Sequence, residues 1–122
     1  MTDSGEAAVM TILVRAEIYV APSRLDEFRE VATQLTATAG AEAGTVQYRW
    51  FSCEDPAMFV VIEEYTDEDA ALEHNRRCPP LLERFAQVGE LTSVQIHGPL
   101  GTNLSKWIDE RPQAHAFVPL SG

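Results

Sequence analysis

An α+β fold with the element order βαββαβ is predicted by three features of the 122-residue chain. Near the N-terminus, a segment with two-residue apolar alternation is followed by one with helical spacing. Asp55-Pro56 then makes a tight turn between two further alternating segments, which reads as a β-hairpin. A second helical stretch leads to a last strand that ends at Gly98-Pro99. This order is the ferredoxin-like split motif, with a four-stranded antiparallel sheet and two helices on one face.

The elements follow in sequence. Residues 1 to 10 are small and polar and read as a flexible N-terminus. From Thr11 to Val20, Ile12, Val14, Ala16, Ile18 and Val20 fall on one strand face, and Leu13, Arg15, Glu17 and Tyr19 on the other. Pro22 and Ser23 start a helix, since proline in a first turn gives up no needed N–H. Leu25, Phe28, Val31, Ala32 and Leu35 recur at helical spacing, Glu27, Arg29, Glu30 and Gln34 cover the wet side, and Gly40 stops the run. Gly44 opens a strand from Thr45 to Cys53 in which Val46, Tyr48 and Trp50 share one face and Gln47, Arg49 and Phe51 the other.

A third strand spans Met58 to Tyr65. The carboxylates of Asp67, Glu68 and Asp69 fall where a helix N-terminus favours negative charge, so a helix is predicted from about Asp67 to Arg77. Pro79-Pro80 breaks it, and Leu81 to Val88 resumes helix with Leu82, Phe85 and Ala86 inward. Leu91 to His97 is the last strand, which makes residues 11–100 one domain. Residues 101–122 have no clear period but contain Trp107 and Phe117, and read either as an ordered arm over a partner subunit or cavity mouth, or as a frayed terminus. The helices cover one sheet face. The other has no partner in the chain, yet Leu13, Tyr19, Phe59, Val61 and Tyr65 are assignable to it, and an apolar face of that size marks an interface.

Composition narrows the function classes. A net charge of −10 opposes binding to nucleic acid or anionic membranes, both of which need a positive footprint. No apolar run approaches the ~18 residues of a membrane span. The first residues lack a basic start followed by an apolar core, so no signal peptide is expected, and a cytoplasmic chain with Cys53 and Cys78 as reduced thiols is. Neither the two cysteines nor His74, His97 and His115 have metal-site spacing, and there is no glycine-rich phosphate loop. No metal or nucleotide is therefore expected.

The stretch from Phe59 to His74 resembles the central signature of the antibiotic biosynthesis monooxygenase superfamily. That signature is a strand ending in Glu-x-Trp, an acidic turn, an alanine, and a histidine four residues later. Glu63, Ala70 and His74 match it, and Tyr65 stands where the family has Trp. The resemblance covers residues 11–98 and includes the Pro22 helix start, the Gly44-Thr45-Val46-Gln47-Tyr48 strand opening and the hairpin. It implies a homodimeric α+β barrel with one pocket per subunit between the open sheet face and the helices. It also implies oxygenation of quinol- or anthrone-like polyphenols by O2 without metal, flavin or haem. A second histidine common in the family is absent, and Cys78-Pro79-Pro80 occupies its region. The haem-degrading branch relies on an Asn in the first strand, a Trp and an axial His; Thr11 to Val20 holds no Asn, and the signature's Trp is replaced by Tyr65.

On this resemblance His74 is the leading catalytic candidate, because a neutral imidazole accepts a phenolic proton. The alternative is a helix histidine bonded to a backbone carbonyl. Tyr65 is the second catalytic candidate. Tyr48, Trp50, Arg15, Glu63 and Asn75 are candidates for substrate binding. At least one of Tyr48 and Trp50 reads as simple core, and Asn75 lies about 100° round the helix from His74, so the two need not share a pocket. Arg15, like Arg49, either binds an anionic phenolate or carboxylate or pairs with Glu17, Glu63 or Glu64. The expected function is a cofactor-independent monooxygenase acting on a small aromatic substrate with O2. The alternatives are an isomerase or aldol-type cyclase on the same barrel, and a dimer that binds a small molecule without turnover.

Overall fold

The computed structural model describes residues 10–77 and 79–120. The expectations for the N-terminal residues, for Cys78 and for the side chain of Leu82 lie outside what is described. The elements are β1 (Ile12–Tyr19), a 3-10 turn (Pro22–Arg24), α1 (Leu25–Gly40), β2 (Thr45–Ser52), β3 (Met58–Tyr65), α2 (Glu68–Arg77), α3 (Pro79–Val88), β4 (Glu90–His97), α4 (Thr102–Asp109) and β5 (Ala114–Phe117). The βαββαβ order is thus present, and the chain then adds a helix and a strand.

The sheet corrects the four-stranded antiparallel expectation. It has five strands in the order β2-β3-β1-β4-β5, and β5 runs parallel to β4. A parallel neighbour needs a crossover connection, and α4 supplies it. Leu104 and Ile108, four residues apart, bury one stripe of α4. The Glu68 carboxylate, in the first turn of α2, accepts the Leu104 N–H at 2.8 Å and so caps α4 from a distant part of the chain. On the open face, His97 stacks on Phe117 with ring centroids 4.9 Å apart, which ties β5 to β4.

Register decides which residues face the helices. Ile12, Val14, Ala16 and Ile18 of β1 lie opposite Tyr65, Glu63, Val61 and Phe59 of β3, so these eight share one face. Phe59, Val61 and Tyr65 are buried there, beneath the helices. Assigning them to the open face was therefore incorrect. Both faces of β3 are apolar (Phe59-Val60-Val61-Ile62), so alternation along that strand gives no direction until it is paired. Val46 also departs from its predicted face. The β2–β3 register shifts between Thr45 and Gln47, leaving Val46 in a bulge and exposed.

The hairpin turn forms as its sequence directs. The Asp55 side chain accepts the Ala57 N–H at 2.9 Å, and the Asp55 carbonyl accepts the Met58 N–H at 3.2 Å. Asp67 performs the predicted N-terminal role on α2, its carboxylate accepting the Ala70 N–H at 2.8 Å. The two prolines open α3 instead of preceding it, as proline in a first helical turn permits. No helix of the described residues is long and apolar enough to cross a membrane.

Gly44 places α2 against the sheet. A Cβ on Gly44 would lie 2.5 Å from the Ala70 Cβ, and the Gly44 carbonyl accepts the Thr66 N–H at 2.9 Å. Gly44→Ala is therefore expected to push α2 outward and lower stability by about 1–3 kcal/mol. The check is the urea midpoint, which should fall with little change in slope. Gly40→Ala, where a Cβ meets nothing within 4 Å, is the control and should leave the midpoint unchanged or raised.

Candidate active site

Between the helix-covered sheet face and α2, α3 and α4 lies a cavity of about 610 Å³. Its floor is apolar, built from β1 and β4 residues such as Ile12, Val14, Ala16 and Ile96. The open sheet face, which the resemblance placed against the pocket, is not part of it. Tyr48, Glu63, Tyr65 and His74 gather at one end, and Asn75, Glu90, Arg111 and Gln113 are its further polar lining residues.

His74 is the chain's buried histidine, with 3% exposure. Its Nδ1 lies 2.9 Å from Oε1 of Glu42, a residue in the α1–β2 loop whose side chain is only 7% exposed. The same Glu42 oxygen accepts the Thr45 hydroxyl at 3.0 Å. With Glu42 ionised the carboxylate only accepts, so Nδ1 donates to it and Nε2 is the acceptor nitrogen of a neutral ring. Glu42 Oε2 is buried without a hydrogen-bond partner among the described residues. The rings of Tyr48 and Tyr65 flank the imidazole at 5.3 and 5.7 Å between centroids.

A second acidic pair sits beside the first. The Tyr65 hydroxyl donates to Glu63 Oε1 at 2.5 Å. Burial pushes the Glu63 carboxyl above the usual carboxylate range, and the nearby Glu42 charge adds to this. The Tyr65 hydrogen bond and the His74 charge oppose it. Burial first, and Glu63 second, raise the Tyr65 phenol far above its ordinary value, so it stays protonated. One end of an apolar cavity thus holds a histidine–carboxylate pair able to take up a proton and a tyrosine–carboxyl pair able to hold one. Among the described residues, no three His, Cys, Asp or Glu side chains converge on a metal-sized site.

A family model described as antibiotic biosynthesis monooxygenase matches residues 11–92. The chain belongs to that family. Solved structures share the fold at low identity. MupZ from Pseudomonas fluorescens is 16% identical with a TM-score of 0.78, and the match covers 92% of each chain. SnoaB from Streptomyces nogalater, a cofactor-independent oxygenase, is 20% identical with a TM-score of 0.61, covering 78% of this chain and 97% of SnoaB. Rv0793 from Mycobacterium tuberculosis is 25% identical with a TM-score of 0.62, covering 75% and 97%. No curated protein matches the chain in sequence.

Within this monooxygenase-family fold, six of the seven residues picked from sequence line the cavity: His74, Tyr65, Tyr48, Trp50, Glu63 and Asn75. Arg15 does not. It points from the open sheet face and pairs with Glu17 at 2.5 Å, because it alternates with the cavity-facing Val14 and Ala16. Arg49 lies on the same open face, over the Phe51 ring. Sequence reasoning missed Glu42, which sits in a loop with no periodicity around it. It also missed Leu104 and Arg111, which together with Trp107 of the expected arm bring α4 and the turn after it to the cavity wall.

The raised Glu63 carboxyl has a consequence for stability. Glu63 holds its proton more tightly folded than unfolded, so its contribution is full below the ordinary carboxylate pKa and is lost as the pH rises through the folded value. Glu63→Gln cannot ionise. Its urea midpoint is expected to fall less than that of the wild type between about pH 4 and pH 8, and parallel curves would contradict the raised carboxyl.

Proposed function

We propose that the cavity is the active site of a cofactor-independent monooxygenase that oxidises a small aromatic, quinol- or anthrone-like substrate with O2. The observation that carries this is the buried His74–Glu42 pair, set between two tyrosine rings at one end of a cavity whose sheet floor is apolar. Nε2 of His74 takes a phenolic proton, and Glu42 stabilises the imidazolium that forms. The phenolate passes one electron to O2, and the substrate radical and superoxide join in a C–O bond. For an anthrone-like ring methylene, loss of water from that peroxide leaves a carbonyl. One oxygen atom stays in the product and the other leaves as water, with the proton returned by His74. The substrate supplies all the electrons, so the protein need only deprotonate, orient and enclose it. Tyr48 and Tyr65 hold the ring from either side of His74, and Trp50, Glu63 and Asn75 complete the wall.

A homodimer accompanies this reading. Leu13 and Tyr19 are 37% and 44% exposed on the open sheet face, with Phe51 beside them and Val60 and Ile62 half-buried between. That face, with apolar residues set around the Arg15–Glu17 pair and Arg49, fits a second copy packed sheet to sheet.

A second reading rests on the Glu63–Tyr65 pair. A carboxyl raised by burial beside a protonated phenol suits an isomerase or aldol-type cyclase, which needs proton transfers but no oxidant. Oxygen-electrode traces with hydroquinones, naphthoquinols and anthrones separate the two. Uptake above the spontaneous rate is expected from the monooxygenase. Substrate conversion with no uptake would give the site to acid–base chemistry.

A further inference from the structure

At the far side of the cavity from the His74 cluster, the wall contains a permanent cation. Arg111 follows α4, and its guanidinium carbon sits 4.0 Å from the centre of the Trp107 ring, which lines the same cavity. Its Nη1 donates to the Trp107 carbonyl at 2.9 Å and lies 3.7 Å from a Glu110 oxygen. Nε and Nη2 have no protein partner among the described residues. The backbone is pinned on both sides, since the Arg111 N–H donates to Ile108 and its carbonyl accepts the Ala114 N–H. The guanidinium is therefore held in place by stacking and by the backbone, with an edge of donors left to offer. Among the cavity's described residues, Arg111 is the permanently charged basic side chain, and His74 is the other basic group. The acidic ones are Glu63, in the polar cluster, and Glu90, which is exposed at the start of β4.

We propose that Arg111 anchors a carboxylate carried by the substrate, so that the ligand is an elongated aromatic acid. Its reacting hydroxyl end lies at His74 and its acid end at Arg111. This rests on the cavity being the substrate site. The Arg111 side chain is 39% exposed at the cavity wall, and a planar guanidinium so placed matches a carboxylate through two parallel hydrogen bonds. Length follows from the sheet. The lining runs from Tyr48 on β2 to Gln113 just before β5, across five strands spaced at about 4.8 Å, or roughly 19 Å. The His74 and Arg111 side chains take up part of that span, and a two- or three-ring acid with its polar groups at opposite ends bridges the rest, whereas one with adjacent groups cannot reach both anchors.

Calorimetric titration of the full chain with three redox-inert probes tests this: 6-hydroxy-2-naphthoate, 3-hydroxy-2-naphthoate and 2-naphthol. The first is expected to bind roughly ten-fold or more tighter than the other two. Arg111→Gln should abolish that preference while leaving 2-naphthol affinity within about two-fold, and Arg111→Lys should restore part of it. Equal affinity of the wild type for all three probes would overturn the anchor while leaving the cavity as a ligand site. A preference that survives Arg111→Gln would overturn it too, by placing the acid elsewhere. Failure of every probe to bind would overturn both the anchor and the substrate-site reading. The wild-type comparison needs no variant, so it decides even if Arg111→Gln folds poorly.

Discussion

His74→Ala is expected to lower turnover of a phenolic substrate by about 10²- to 10⁴-fold, the usual yield of a positioned general base. It should also destabilise the fold. Removing the imidazole leaves the Glu42 carboxylate buried, with Oε2 already unpartnered and Oε1 reduced to the Thr45 hydroxyl. Breaking one side of a buried pair costs about 3–5 kcal/mol. The two effects separate in the double variant Glu42→Ala/His74→Ala, which removes the stranded charge with its partner. Its urea midpoint should recover toward the wild type while its turnover stays low. Wild-type turnover in a folded His74→Ala sample would take the base away from His74. A double variant whose loss equals or exceeds the sum of the two single losses would show that Glu42 is held by groups other than the histidine.

Phe28→Ala is expected to cost about 3–5 kcal/mol, the range for emptying a buried phenylalanine. Phe28 projects from α1 into an aromatic cluster, meeting Phe59 at 4.6 Å, Trp50 edge-on at 5.3 Å and Phe85 at 6.0 Å. Trp50 and Phe85 line the cavity and Phe28 stands behind them. The variant should therefore loosen one cavity wall as well as the core. Denaturant midpoints measure the first effect, and a red-shifted tryptophan emission in the folded protein measures the second. Phe28→Leu, which keeps most of the volume, should recover most of the loss. A Phe28→Ala midpoint within experimental error of the wild type would mean the cluster collapses to fill the space.

Much of the frame was legible because its signals are local. Period-two alternation in Ile12 to Ile18 and helical spacing through Phe28, Val31, Ala32 and Leu35 each mark a buried face without outside help. The run from Glu63 through Tyr65 and Asp67 to Ala70 and His74 also carries its own logic: a strand end, a capped helix and a small residue where Gly44 needs room. What was not legible depends on partners far along the chain. Glu42 reaches His74 across 32 positions from a loop bordered by alanines, and nothing in its neighbourhood marks it. β5 has four residues, too few for an alternation, and its parallel pairing exists only because α4 carries the chain back. α4 does show Leu104, Trp107 and Ile108 at helical spacing, a short stripe that a search for longer helices passes over. Arg15 was open to either assignment because alternation separates two faces without saying which one encloses a cavity.

Product formed under oxygen-18 gas, analysed by mass spectrometry, tests the central claim most directly. The account predicts one labelled oxygen atom in each product molecule, O2 consumed in equal amount, and both signals lost together in folded His74→Ala protein. A converted product with no label and no oxygen consumed would contradict it, and would mean that the His74 cavity moves protons instead of oxygenating its substrate.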